Sequence, residues 1–178
     1  MPIPELAGAA VLVTGGAGFI GSHLADALLE RGARVRVLDS LVNGKLANLR
    51  RWLPAGGEGD GFCDDVSLFG RLEFRRGDIR DLDACRRCCE GVKLVFHQAA
   101  LGSVPRSLAD PATTIAVNVT GTANLFAAAR DAGVERIIFA SSSSVYGDSE
   151  LLPKREGEEG RPLSPYALSK VQNEQLAE

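Results

Sequence analysis

The sequence predicts an α/β fold, a doubly wound parallel sheet with helices on both faces, and three observations carry that expectation. Apolar runs of strand length alternate with amphipathic stretches of helical period along the chain. A glycine-rich turn joins the first such pair, and 178 residues suffice for one domain with its own core.

Residues 9–14 read as a buried strand, residues 20–31 as an amphipathic helix, and residues 34–39 as a second strand ending in a carboxylate. That is a βαβ unit, whose crossover is right-handed. A short helix over 45–53 follows, and the stretch PAGGEGDG then reads as a surface excursion. The alternation resumes with a strand over 72–75, a helix over 82–90, a strand over 93–97, a helix over 112–132 and a strand over 136–140. A last helix is expected over 164–178, with no Gly or Pro stop after it. Ligands of such sheets sit at the carboxyl ends of the strands.

Composition excludes several classes of partner. The 20 Lys and Arg against 23 Asp and Glu leave a net charge of −3, so no positive field draws the chain to nucleic acid or acidic membranes. No apolar run has the length of a membrane span and no secretory signal opens the chain, which makes a cytoplasmic protein the simplest expectation. Cys85, Cys88 and Cys89 fall in a helical apolar pattern with Leu82 and Val92 and are expected reduced and partly in the core. A zinc site with Cys63 as fourth ligand is geometrically conceivable, but no second C-x-x-C answers the first, and no metal is expected.

The segment VLVTGGAGFIGSHLADALLE sets Gly15, Gly16, Gly18 and Gly21 between a strand and a helix. Glycine there permits the tight turn, close approach of a pyrophosphate and close packing of helix on strand, while the helix N-terminus offers free N–H groups. A lone G-x-G-x-x-G is a weak signal. Here Asp39 closes the second strand 18 residues after Gly21, where a carboxylate can accept from ribose hydroxyls and would repel a 2′-phosphate. NAD is therefore expected over NADP, bound to a Rossmann-type domain. His23, on the first helix, is read as packed or exposed and not chemical.

The strand over 136–140 runs straight into Ser141, Ser142, Ser143 and Ser144, then Val145, Tyr146 and Gly147, which puts hydroxyls at the carboxyl edge of the sheet. In YALSK, Tyr166 and Lys170 are four apart, on one helix face with Cβ atoms about 6 Å apart. A phenol ordinarily titrates at about 10, too high for a base at neutral pH, but a neighbouring ammonium and an oxidised nicotinamide both favour the phenolate. Y-x-x-x-K alone is common on helix surfaces; with the glycine loop and the serines it becomes a candidate proton-transfer pair.

T-G-G-A-G-F-I-G, Asp78-Ile79, H-Q-A-A, the serine strand end with V-Y-G, and Y-x-x-x-K together resemble the extended short-chain dehydrogenase/reductases, the NAD-dependent epimerase/dehydratase family. The match runs from about residue 9 to 178. HQAALGSVPRS, SSSSVYGD and PLSPYALSK are most similar to the bacterial UDP-N-acetylglucosamine 4-epimerases of surface-polysaccharide synthesis.

The resemblance implies a tightly held NAD. Gly15, Gly18 and Gly21 would stand at the pyrophosphate, Asp39 at the adenine ribose, and Asp78 and Ile79 near the adenine, with Phe19, Ile20 and Asn43 also binding the cofactor. Gln98, Ala99, Ala100 and Asn118 would line the cofactor further along. It implies Ser142, Tyr166 and Lys170 as the catalytic set, with Tyr166 the base and Lys170 its electrostatic partner and a ribose ligand. Gly102, Ser103, Ser143 and Ser144, with Ser142 and Tyr166, would touch the UDP-sugar.

The implied reaction is C4 epimerisation of a UDP-hexose, foremost UDP-N-acetylglucosamine, through a transient 4-keto sugar, by a homodimer. UDP-glucose or UDP-glucuronate epimerases and nucleotide-sugar dehydratases are rival enzymes. Dehydratases of this family place Asp-Glu where Ser143-Ser144 stand. A non-catalytic NAD-binding module is the rival of another class. Family members are typically about twice as long as these 178 residues, so the chain is expected to be the NAD-binding N-terminal part of a longer enzyme, lacking the C-terminal substrate domain and turning over poorly alone. Ser40 follows Asp39 where many relatives have Asn, which leaves the local ribose contacts open.

Overall fold

The computed structural model describes residues 5–53 and 66–178. Its sheet has the strand order β3-β4-β2-β1-β5-β6. The strands are β1 (Ala10–Thr14), β2 (Arg34–Asp39), β3 (Val66–Phe69), β4 (Leu72–Arg76), β5 (Leu94–His97) and β6 (Arg136–Phe139). All neighbours pair in parallel except β3, which runs antiparallel to β4 with Val66 opposite Arg75. Helices α1 (Phe19–Glu30), α2 (Leu82–Cys89), α3 (Val104–Ala109), α4 (Pro111–Ile115), α5 (Gly121–Asp131) and α6 (Pro165–Ala177) complete the fold.

The central strands β1 (AVLVT) and β5 (LVFH) are mostly apolar because both their faces are covered. Val11, Val13, Val35, Val37 and Phe74 point to one side and bury Ala25, Leu28 and Leu29 of α1. Leu12, Leu38 and Val95 point to the other and meet Cys85, Cys88 and Cys89 of α2 with Leu125 and Ala128 of α5. Burying one such Leu or Val contributes about 1.5–3 kcal/mol. All three cysteines are free and in the core, where burial raises their thiols, Cys85 and Cys89 to about 12. They are packing residues, as expected; Cys63, like the glycine-rich stretch at 54–61, lies outside the described residues.

Five features depart from the sequence reading. The antiparallel edge strand β3 interrupts the all-parallel expectation; four residues long and turned by Gly70 at φ +60°, it is too short to show a period. The single helix expected over 112–132 is α4 and α5 joined by a π-helical turn at Ala116–Thr120, an irregularity of hydrogen bonding that side-chain periodicity does not register. Helix α3 was hidden by its prolines: Ser103 caps it, Pro105 stands in its first turn, and Asp110 ends it while capping α4. The serine run, given no element of its own, makes a 3-10 turn at Ser143–Tyr146, and the short helix expected over 45–53 is a 3-10 helix at Leu46–Trp52.

Connections from β1 leave toward β2 on one side, and the chain returns to β5 on the other. Crevices outside the carboxyl ends of strands form at this point of reversal. The loops after β1 and β5 meet there.

Candidate functional site

The glycine loop is stitched into the sheet by its backbone. Gly15 N–H donates to Leu38 C=O at 2.8 Å, and Gly18 N–H to Gly15 C=O at 3.0 Å. Gly15 has φ +68°, and a Cβ there would stand 2.7 Å from Ala99 N; at Gly21 it would stand 2.2 Å from Gly15 O. Only glycine therefore lets the loop lie against the β5 exit and α1 lie against the loop. Gly18 caps α1 without a side chain, so the N–H groups of Phe19, Ile20 and Gly21 keep no helical acceptor and form an anion-binding end.

Asp39, 7% exposed, lies at the adjacent edge of the same cleft. Its Oδ2 accepts Ala17 N–H at 2.9 Å and its Oδ1 accepts Leu41 N–H at 2.8 Å. Burial pushes its carboxyl up, against the pull of the hydrogen bonds from Leu41 and Ala17. Each oxygen keeps a further lone pair for a hydroxyl donor. A Cβ at Gly44 would stand 2.9 Å from both oxygens, so a glycine there keeps the carboxylate reachable. A second anion placed here would meet a buried carboxylate, which favours diol over phosphate.

The cleft holds about 170 Å³. Gly15, Gly18, Asp39, Asn43, Asp78, Ile79, Gln98, Ala99 and Ala100, all expected at a cofactor, line it. Val42, Gly77, Arg80, Leu101, Thr113 and Val117 join them without having been singled out. Asp78 is spoken for by Arg80, whose guanidinium reaches it at 2.7 and 3.0 Å and holds its carboxyl below the usual carboxylate range. Ile79 lies 4% exposed beneath, a hydrophobic floor. The unfilled N–H end, the glycine cradle and the buried carboxylate fit a dinucleotide.

Asn118 does not line this cleft. It sits fully buried in the π-helical turn, where Oδ1 accepts Leu101 N–H at 2.8 Å and Nδ2 donates to Ser169 Oγ at 3.0 Å. It ties the β5 exit loop to α6 instead. Phe19 and Ile20 turn their side chains outward, 78% and 59% exposed, so only their backbone faces the anion-binding end.

Ser164 and Pro165 fix where α6 begins: Ser164 Oγ accepts Ala167 N–H at 3.1 Å and Pro165 occupies the first turn. Tyr166 thus stands half-buried in the first turn, and Lys170 one turn later is 5% exposed at the end of β6, its Nζ donating to Ala140 C=O at 2.8 Å. Burial lowers the Lys170 ammonium from its ordinary value. Helix α6 packs against the Ser143–Tyr146 turn, which brings Ser142, Ser143 and Ser144 to the same end of the sheet. Ser142 Oγ accepts Ser144 N–H at 3.1 Å, leaving its O–H free to donate. Ser103 Oγ accepts Arg106 N–H at 3.2 Å as the α3 cap, and Gly102 beside it is exposed.

Residues 11–178 match the profile of the NAD dependent epimerase/dehydratase family. The chain belongs to that family. A UDP-glucose 4-epimerase of Mycolicibacterium smegmatis is 42% identical over 165 residues, 92% of this chain and 48% of the relative. Among solved structures, a UDP-N-acetylglucosamine 4-epimerase from Methanobrevibacter ruminantium, in complex with UDP-N-acetylmuramic acid, aligns with a TM-score of 0.82 and 34% identity over 96% of this chain and 50% of its own. A UDP-glucose 4-epimerase from Brucella ovis, in complex with NAD, aligns at 0.78 with 35% identity over 94% of this chain and 46% of its own. The chain spans about half the length of the relatives it matches.

In this member of the epimerase/dehydratase family, the sequence reading missed the buried polar residues behind the site. Thr14, His97, Thr122 and Ser169 are 0–4% exposed and hydrogen-bonded to one another or to the residues that line it. A histidine inside H-Q-A-A and a threonine closing a strand were the available signals. Among the described residues no cluster of His, Cys, Asp or Glu could hold a metal ion, and no helix is long and apolar enough to cross a membrane.

Proposed function

We propose that the chain binds NAD and carries the proton-transfer residues of a UDP-sugar 4-epimerase, with UDP-N-acetylglucosamine and UDP-N-acetylgalactosamine as the sugar pair, working as a homodimer. The observation that carries this reading is the pairing of a dinucleotide cleft with Tyr166 and a buried Lys170 ammonium, one turn apart on the helix that ends the same edge of the sheet.

NAD, held in this cleft, would supply the hydride chemistry at C4 of the sugar. The chain's own residues do the rest. The N–H groups at the start of α1 bind the pyrophosphate, and Asp39 accepts from the adenosine ribose. Tyr166 takes the proton of the C4 hydroxyl and later gives it back, and Ser142, with a free O–H, holds the sugar oxygen in line. Lys170 spends one N–H on Ala140 and keeps its other donors and its charge for the phenolate and the nicotinamide ribose. Neither Ser143 nor Ser144 can act as the acid that an elimination needs, which favours epimerisation over dehydration.

The test is an NAD titration followed by an anomeric-proton NMR time course with UDP-N-acetylglucosamine and, separately, UDP-glucose. NAD binding is expected, with growth of the UDP-N-acetylgalactosamine signal slow in these 178 residues and faster in a chain of the relatives' full length. A protein that binds no NAD would overturn the reading, and interconversion of UDP-glucose alone would overturn the choice of sugar. Light scattering showing only monomer would overturn the dimer.

A further inference from the structure

Behind the cleft runs a chain of buried hydrogen bonds that the proposed chemistry does not use, centred on His97. Its ring Nδ1 lies 2.6 Å from Thr14 Oγ1 and its Nε2 lies 2.9 Å from Thr122 Oγ1. Thr122 Oγ1 in turn lies 2.5 Å from Asn118 C=O, and Ala99 N–H lies 3.3 Å from Thr14 Oγ1.

The directions of these bonds are determined. A carbonyl only accepts, so Thr122 O–H donates to Asn118, and Thr122 oxygen must then accept from His97. Nε2 therefore carries the proton. Burial, with the Lys170 ammonium nearby, pushes the imidazole down to about 3, so the ring is neutral and Nδ1 is bare. Thr14 O–H donates to it, and the Thr14 oxygen accepts Ala99 N–H. The other tautomer would set the Nε2 lone pair against that of Thr122 and leave the Thr14 O–H without its acceptor.

Both ends of this chain open on the site. At one end Ala99 lines the cleft beside Gly15. At the other, Asn118 holds Leu101 and donates to Ser169 Oγ, whose O–H donates to Tyr166 C=O at 2.7 Å. We propose that His97 is a positioning residue: as one fixed Nε2–H tautomer, it orients a single hydrogen-bond chain that joins the dinucleotide loop to the first turn of the Tyr166 helix. This rests on the reading of the site given above. Apolar residues would fill the same space without leaving a buried group unpaired, so what the polar chain adds is a defined geometry at each end.

The chain has two histidines, His23 and His97, so selective 15N labelling gives two imidazoles, and His97→Asn assigns them. The expected spectrum of His97 is neutral and Nε2-protonated from pH 5 to 8, with a shift at Nδ1 when NAD is added. An Nδ1–H tautomer, or an imidazole titrating in that range, would overturn the proposal.

Two variants separate the arms. His97→Asn keeps an acceptor near Nδ1, and is expected to bind NAD within about twofold of wild type while UDP-sugar turnover falls about tenfold. His97→Gln keeps a donor near Nε2, and is expected to retain turnover at saturating NAD while NAD affinity falls about tenfold. Equal losses in both variants would show general loosening and overturn the positioning role. Should either fail to fold, Thr122→Ser against Thr122→Val repeats the test on the lower arm: turnover kept by Ser and lost by Val supports it, and equal turnover overturns it. Failure of the function reading looks different, because the wild-type protein would then bind no NAD while the tautomer remained measurable.

Discussion

The cleft at the carboxyl end of the sheet and the arginine cluster on the α2 face treat buried charge in opposite ways. On the α2 face, Arg36 and Arg75 grip the two oxygens of Glu73 at 2.8 and 2.5 Å. Their Nη1 groups go to the Arg87, Cys88 and Glu90 carbonyls at the end of α2. Those carbonyls are the acceptors a helix end leaves open, so two strands close it with side chains. Burial alone would raise the Glu73 carboxyl, but the hydrogen bonds from Arg36 and Arg75 outweigh it and hold it below its ordinary range. Every charge there is answered within the chain. At the cleft, Asp39 meets only neutral N–H groups, Lys170 only a carbonyl, and the first N–H groups of α1 nothing helical. A fold leaves such capacity open where a ligand supplies the remainder.

If that contrast is functional, the largest effect belongs to Tyr166→Phe. Turnover is expected to fall at least about 100-fold, the scale of one general acid-base group, with NAD affinity and unfolding free energy unchanged. Steady-state kinetics beside calorimetry checks this, and an undiminished rate would erase the distinction between the two regions. Next comes Gly21→Ala, whose methyl would stand 2.2 Å from Gly15 O. A loss of about 1–3 kcal/mol in denaturant unfolding is expected, together with loss of NAD binding, because the displaced loop carries the anion-binding end.

Glu73→Gln probes the closed region. It leaves two guanidiniums, each about four-fifths buried, without their counter-charge. A loss of about 1–2 kcal/mol is expected, less than for a fully buried pair because water reaches its edge, and NAD affinity should not change. A changed NAD affinity would mean that the two regions are coupled.

How far these regions could be read in the sequence differs for a physical reason. The glycine loop, Asp39, and the Tyr166–Lys170 spacing are local: each depends on backbone conformation or on neighbours within one helix, so it leaves a mark in consecutive residues. Strand and helix order was legible likewise, because burial places apolar residues at strand or helix period along each segment. Asn118 was expected at the cofactor and instead bridges Leu101 and Ser169, 17 and 51 residues away. The Arg36, Glu73 and Arg75 cluster looks, in sequence, like ordinary alternating charge, and only the pairing of Arg36 opposite Glu73 reveals it. Contacts set by register between distant segments leave no periodic trace.

The last expected effect is the pH response of the His97 chain, gradual but specific. The folded protein holds His97 neutral, with a pKa of about 3 against an ordinary 6.5, so between these values the unfolded chain binds the extra proton. Stability is therefore full above about pH 6.5 and declines as pH falls, by up to about 1.4 kcal/mol per pH unit. Asp39, raised by burial, acts oppositely, since the folded state then holds the extra proton. Glu73 and Asp78, lowered by their arginines, lose their contribution only as pH falls below their ordinary values of 4.5 and 3.8. Among the described residues, the window from about pH 6.5 to 4.5 thus reports His97 with Asp39 in opposition. Unfolding curves across it should slope less in His97→Asn than in wild type, and equal slopes would mean that His97 accepts a proton without leaving its place. Glu73→Gln should leave the slope in that window intact, because its own titration lies below it, which again sets the answered charges apart from the open ones.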